Sequence, residues 1–135
     1  MSLKLHLKPN ERVIIGGAVI RNGNRHADLS IENNVPILRE KDILPEDDVD
    51  TPARRIYFAV QLMYIDTENR QAHIESFFSL AHELIEMAPS TRQYILAICE
   101  QVTVSCFYQA LKTARTLIDY EKELITHVKP VHSDL

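Results

Sequence analysis

The hydrophobic period changes once along this chain, and that change limits what it can fold into. Up to about residue 44, apolar and polar residues alternate; from residue 52 onward, apolar residues recur every three or four positions. The first pattern belongs to half-buried strands, the second to amphipathic helices. Leu3, Leu5 and Leu7 alternate with Lys4, His6 and Lys8, and Pro9-Asn10 ends the run. Arg12 to Ile15 is a short β-branched run stopped by Gly16-Gly17, and Ala18 to Arg21 resumes it. Asn22-Gly23 is a strong hairpin signal because both residues tolerate positive φ. Leu29 and Ile31 predict another strand, Asn33-Asn34 a turn, and Val35 to Leu38 a last strand. Four or five short strands predict a small antiparallel sheet or barrel. So short a segment makes a thin core, so the sheet needs a cover, from the rest of the chain or from a second copy.

Residues 45–51, within the stretch LPEDDVD that starts at Leu44, predict an acidic linker. Thr51 can cap a helix, and Pro52 suits its first position because the missing N–H costs nothing there. Ile56, Val60 and Met63 keep one face of that helix apolar. A second helix is expected from about Glu68 to Met87, with Ile74, Phe77, Phe78, Ala81, Leu84, Ile85 and Ala88 as its stripe. Pro89 stops it, and Ser90 or Thr91 can cap the next helix. Arg92 to Ile125 is again helical in pattern. The β-branched run Val102-Thr103-Val104 is a place where it can bend or divide. The reading is thus α+β, with a small antiparallel sheet of 4–5 strands followed by 3–4 helices. Its parts are a β-rich subdomain at 1–44, the linker at 45–51, a helical subdomain at 52–126 and a frayed tail at 127–135.

At 135 residues with 45% apolar and 25% charged residues, this is an ordinary soluble globular composition. Cys99 and Cys106 lie seven apart in a helix-like stretch. On one helix that is roughly 10 Å of rise, too far for a disulfide, so both read as small buried apolar residues of a reducing compartment. No stretch approaches the roughly 20 apolar residues of a membrane span, and the first residues do not resemble a signal peptide; a cytoplasmic protein is expected. Phosphate-loop, dinucleotide and nucleophile-elbow motifs are absent from the sequence. His82 and Glu86, with His73 upstream, read as a solvated helix surface rather than a metal set. No cofactor, metal or catalytic group is expected.

Charge is unevenly spread. Residues 1–44 hold seven Lys and Arg against five Asp and Glu; residues 45–135 hold eight against fourteen. A polyanion would prefer the front segment. Its basic residues lie on short strands and turns, a setting from which single-stranded RNA is commonly bound. Surface strands also carry such residues for solubility and edge protection, and residues 1–44 contain no Phe, Trp or Tyr to stack on a base.

The segments MSLKLHLKPNERVIIGGAVIRNG, VPILREKDIL, TPARRIYFAVQLMYID and FYQALKTARTLIDYE resemble, in order and spacing, the FlbT family of flagellin synthesis regulators of α-proteobacteria. The resemblance covers Met1 to about Glu123. It implies a post-transcriptional regulator that acts on the untranslated leader of flagellin mRNA, represses flagellin production and promotes mRNA decay in partnership with FlaF; some members act positively. A second resemblance covers only strands. LHLKPNERVIIG (Leu5 to Gly16) and ILREKDI (Ile37 to Ile43) are similar to the carbon storage regulator CsrA/RsmA, a small intertwined β-dimer that binds mRNA leaders. Leu7 stands where that family has a basic residue, and Asn10 where it has glycine. This likeness places Arg39 at the principal RNA contact and Leu5 and Ile37 where strands approach the bases, and it implies a homodimer. Lys4, Lys8, Arg12 and Lys41 are then the phosphate partners, with Glu40 and Asp42 orienting Arg39 and Lys41. DNA is not expected as a ligand. The alternative is an acidic helical half that docks FlaF or an export component, with Tyr57, Tyr64, Phe107 and Tyr108 as contacts.

Overall fold

In the computed structural model, which describes residues 2–133, the hairpin turn between paired strands falls at Gly16-Gly17. Both glycines have positive φ, 57° and 89°, as a two-residue type I′ hairpin requires. The turn joins β2 (Arg12–Ile15) to β3 (Ala18–Arg21), with Ile15 opposite Ala18. On its other side β2 pairs antiparallel with β5 (Ile37–Arg39), giving the order β3-β2-β5. A second, two-stranded sheet pairs β1 (Leu3–Leu7) with β4 (Ala27–Ile31), Leu5 lying opposite Leu29. The expected single sheet is therefore two, and each of the five strands finds its partner inside the chain. Leu5, Leu7 and Val13 form the buried cluster the sheets share, with Ile15, Leu29, Ile31 and Ile37 packed against it.

Asn22-Gly23 does not form the hairpin its dipeptide suggests. β3 and β4 are not neighbours in either sheet, and neither Asn22 nor Gly23 has positive φ. Asn22 is used differently: its Nδ2 donates to the carbonyls of Lys8 at 2.8 Å and Arg25 at 2.7 Å. A side chain that satisfies backbone carbonyls elsewhere has displaced the local turn. Asn10, at φ 64°, takes a left-handed conformation instead, and its residue type tolerates that region.

The chain parts into two compact units between Ile43 and Leu44. In the second unit, Leu44 and the buried Gln61 clasp each other: Leu44 N–H donates to Gln61 Oε1 at 2.7 Å, and Gln61 Nε2 donates to the Leu44 carbonyl at 3.1 Å. Glu46–Asp48 is a single 3-10 turn. Helix α1 (Pro52–Ile65) begins as the sequence dictates, with Thr51 Oγ1 accepting from Arg54 N–H at 3.2 Å and proline at the first position. It packs against both α2 (Arg70–Met87) and α4 (Phe107–Ser133), while α3 (Arg92–Thr103) packs on α4. Ile56, Val60 and Met63 of α1, Phe77 of α2, Ile98 of α3 and Leu117 of α4 are fully buried at its centre. Phe78, expected in the α2 stripe, is exposed, because α2 meets its main partner α1 along one side. The α4 helix continues past His127, where a frayed tail is expected from the sequence; residues 134 and 135 lie outside the described residues.

The β-branched run divides the long helical stretch. Val104 caps α3, Cys106 N–H donates to the Gln101 carbonyl and Ser105 N–H to that of Val102. This is a Schellman motif, and Ser105 occupies its left-handed position at φ 61°. The break corrects two expectations about cysteine. Cys99 and Cys106 do not share one helix, and Cys106 is exposed while Cys99 is half-buried. Burial pushes the Cys99 thiol above its usual range.

A left-handed conformation costs a side-chain-bearing residue about 1 kcal/mol or more, offset in part by glycine's unfolded-state freedom. Ser105→Gly is therefore expected to raise stability in urea unfolding by about 0.5 kcal/mol, while the same change at Asn10 gains less. At the α1–α2 joint, Asp66 accepts from His73 Nε2 at 2.8 Å and from Asn69 Nδ2 at 3.1 Å. These bonds, His73's first, hold its carboxyl below the usual 3.8. A lowered folded pKa means that the stabilisation is present above the unfolded value and fades as pH falls through the folded one. Unfolding curves from pH 6 down to pH 2.5 should show a stability loss that is shallower in Asp66→Asn; equal slopes would remove Asp66 from the acid response.

Candidate nucleic-acid interface

Strand alternation decides which front-unit cations can act together. Leu5 and Leu7 point into the apolar cluster, so Lys4 and His6 point outward on β1, and Lys8 continues that face beyond the strand end. Successive outward side chains stand about 7 Å apart along a strand. Across from them on β4 lie Ser30, opposite Lys4, and Asp28, opposite His6. Asp28 Oδ1 and His6 Nδ1 are 2.5 Å apart, and both side chains are largely exposed. The row is thus basic with one carboxylate, and that carboxylate is held by His6.

Arg39 is placed differently. It lies opposite Val13, hence on the face of its sheet that carries the apolar cluster. Its guanidinium reaches across to β1, where Nη2 donates to the His6 carbonyl at 2.6 Å and stands 3.7 Å from Glu11 Oε2. Its side chain is 39% exposed. Arg39 therefore ties an edge strand of one sheet to an edge strand of the other and uses only part of its donor set.

The partner assignments differ from expectation. Glu40 does not orient Arg39. Its Oε1 accepts from Arg12 N–H at 2.7 Å and stands 3.7 Å from Arg12 Nε; Glu11 takes the place beside Arg39. The reason is alternation: Arg12 and Val13 face opposite ways on β2, so Arg12 lies on the face away from Arg39. Arg12 also stands directly opposite Arg21, a like-charge pair that is costly unless each is answered. Glu40 answers the first, and the Asn10 carbonyl accepts from Arg21 Nη1 at 3.0 Å.

Of the residues expected to bind RNA, Lys4 and Lys8 share one outward face, and Arg39 joins that strand through its backbone. Lys41 is exposed on the 3-10 turn Glu40–Asp42. Leu5 is buried at 3% exposure, and Ile37 packs against the same cluster, so neither side chain is presented to a base; only their backbones remain for that role. His6, one of the basic residues of the front strands but not among the expected RNA contacts, shares the outward face of Lys4 and Lys8, as the alternation Leu3-Lys4-Leu5-His6-Leu7-Lys8 sets it.

Elsewhere, Tyr57 and Phe107, considered as protein contacts, are core residues, whereas Tyr108 is exposed. Among the described residues, no three His, Cys, Asp or Glu side chains gather as a metal set. His82 and Glu86 form an exposed pair at 3.1 Å, and His73 is taken by Asp66. No helix of the described residues is long and apolar enough to cross a membrane.

The sequence profile of the family described as flagellar protein FlbT matches residues 3–125. The flagellum biosynthesis repressor protein FlbT of Caulobacter vibrioides is 42% identical over 130 residues, covering 95% of this chain and 92% of that protein. The probable flagellum biosynthesis repressor protein FlbT 1 of Bradyrhizobium diazoefficiens is 43% identical over 133 residues, 98% and 90% of the two chains. A probable repressor of the same name from Brucella anthropi is 30% identical over 132 residues. No solved structure matches the chain.

The double role of the Arg39 guanidinium gives a direct test. Truncation removes a charged hydrogen bond to a carbonyl, an interaction of about 1–2 kcal/mol when partly exposed. Arg39→Ala should lower the unfolding midpoint accordingly, and Arg39→Lys should lose less. If Arg39→Ala leaves the midpoint unchanged, the contact to His6 does not hold the strands together.

Proposed function

The chain belongs to the FlbT family, and from that premise we propose that it regulates flagellin synthesis after transcription. In this reading it binds the untranslated leader of flagellin mRNA and represses translation or promotes decay during flagellum assembly. The family is one of regulators rather than enzymes, so decay is carried out by a recruited nuclease. A FlaF-type regulator is the proposed protein partner and the cytoplasm the proposed site of action.

The observation that carries the RNA reading is the outward row of Lys4, His6 and Lys8 on β1, in the half of the chain where cations outnumber carboxylates. Cations in a row can track a single-stranded backbone without reading bases. Base selection is then assigned to the strand backbones, with residues 1–44 containing no Phe, Trp or Tyr. Arg39 has two roles in this account: it fixes the β1 edge through the His6 carbonyl, and its remaining donors face the ligand. The reading includes a homodimer, which would present two such rows to one leader; light scattering with and without RNA reads the mass directly.

Filter retention or anisotropy with a flagellin leader at rising salt tests the proposal. Binding should weaken steeply with salt, because phosphate contacts release counterions. Lys4→Ala with Lys8→Ala should lower affinity and flatten the salt dependence by about two ions. Asp28→Asn, which removes the carboxylate from the row, should tighten binding. A folded Arg39→Lys protein that binds as the parent does would leave Arg39 a structural residue only. Leader binding that is indifferent to Lys4, Lys8 and Asp28 alike would move the interface off β1.

A further inference from the structure

The helical unit contains an apolar cup that its own packing leaves unfilled. Pro52 and Ala53 at the start of α1, Leu84 near the end of α2, and Leu117 and Leu124 on α4 enclose about 210 Å³. That is smaller than the roughly 300 Å³ at which small-molecule pockets begin and suits one large side chain. Two lips extend it: Met87 is 68% exposed and Ile125 49% exposed. Glu121 also lines the cup, but its Oε2 accepts from Ala53 N–H at 2.9 Å, so it is engaged in capping α1.

By sequence the walls carry both signs with carboxylates in excess: Glu46, Asp47, Asp48 and Asp50 precede Pro52 and Glu83 lies one turn before the Met87 lip, against Arg55, Arg92 and Lys122. Arg54 answers Asp50 at 2.7 Å; residues 45–135 as a whole hold eight cations against fourteen carboxylates. A second copy of this unit would bring like charge to the cup, and so would RNA. We propose that the cup receives the apolar anchor of a basic amphipathic helix from a partner protein, with Lys and Arg beside the anchor meeting the carboxylates. This site is separate from the β1 row and does not depend on the RNA reading.

The methionine methyls of the full-length protein give the test. With 13C-methyl-methionine, Met87 reports the lip, and Met63, fully buried on α1, is the internal control. The probe is a designed helical peptide with Leu at i, i+3, i+4 and i+7 and Lys on its polar face; its twin carries Glu in place of Lys. The Lys peptide should shift the Met87 signal saturably and leave Met63 in place, while the Glu twin should do neither. Met87→Asn, at so exposed a site, should keep the unfolding midpoint and weaken the peptide by about fivefold through lost apolar contact. The proposal is overturned if the Met87 signal ignores the Lys peptide, if the twin binds as well, or if Met87→Asn binds unchanged. It is overturned equally if Met87 shifts with protein concentration alone, which assigns the cup to a second copy, or if leader RNA alone shifts the Met87 signal, which assigns it to RNA.

Discussion

A strand unit of some forty residues cannot bury enough apolar surface behind one flat sheet to hold itself together. This chain meets that limit by setting two small sheets around Leu5, Leu7 and Val13. No strand ladder joins the two sheets among the described residues. Part of what joins them is side-chain hydrogen bonding to main-chain carbonyls, Arg39 to His6 and Asn22 to Lys8. A charged guanidinium suits this work, because a partly desolvated carbonyl binds a cationic donor more strongly than a neutral one. The same fact explains why a cation stands at the margin of an apolar cluster: its stem covers the cluster and its head reaches the carbonyl. The basic character of the front unit is thus partly architectural, since Arg39 and Arg12 each serve a joint of the unit.

Much of the fold was legible because it rests on local rules. The change of period separates strands from helices, Gly16-Gly17 marks a true hairpin, and Thr51-Pro52 marks the start of α1. Val102 to Val104 marks the end of α3, although nothing in the sequence says that Ser105, rather than a glycine, takes the left-handed position. Two of the misreadings share one physical cause. At Asn22 and at Glu40, a polar side chain serves a backbone distant in sequence. Propensity and spacing see only neighbours, so Asn22 looked like a turn former and Glu40 looked like the partner of Arg39. The shared outward face of Lys4 and Lys8 was legible because it depends on alternation, while the partners of Arg39 and Glu40 were illegible because they depend on which strands share a sheet.

The helical unit obeys the same logic with more apolar surface at its disposal. The α1 helix is its centre, and its ends are managed by polar groups from elsewhere in the unit. Glu121 on α4 and Thr51 satisfy N–H groups in its first turn, where a carboxylate also favours the helix dipole. Gln61 turns a buried amide toward Leu44 and fastens the chain where it enters the unit. A buried amide is acceptable only when both its donor and its acceptor are used, and the Leu44 backbone supplies both. The acidic stretch after Leu44 is consequently anchored at its start by Gln61 and at its end by Thr51, with a 3-10 turn between.

Charge then divides the tasks that the two units can perform. Fourteen carboxylates against eight cations from residue 45 onward make the helical unit repel any polyanion within a Debye length, about 8 Å at physiological salt. A polyanion that binds this chain therefore gains by meeting the front unit and loses by meeting the helices, whatever bases it carries. A basic partner experiences the reverse. The cations of the front unit are few and partly spent on its own joints, so its pull on any polyanion is set by which of them share one face. Lys4, His6 and Lys8 share such a face on β1, with Asp28 opposite His6 as its one facing carboxylate on β4.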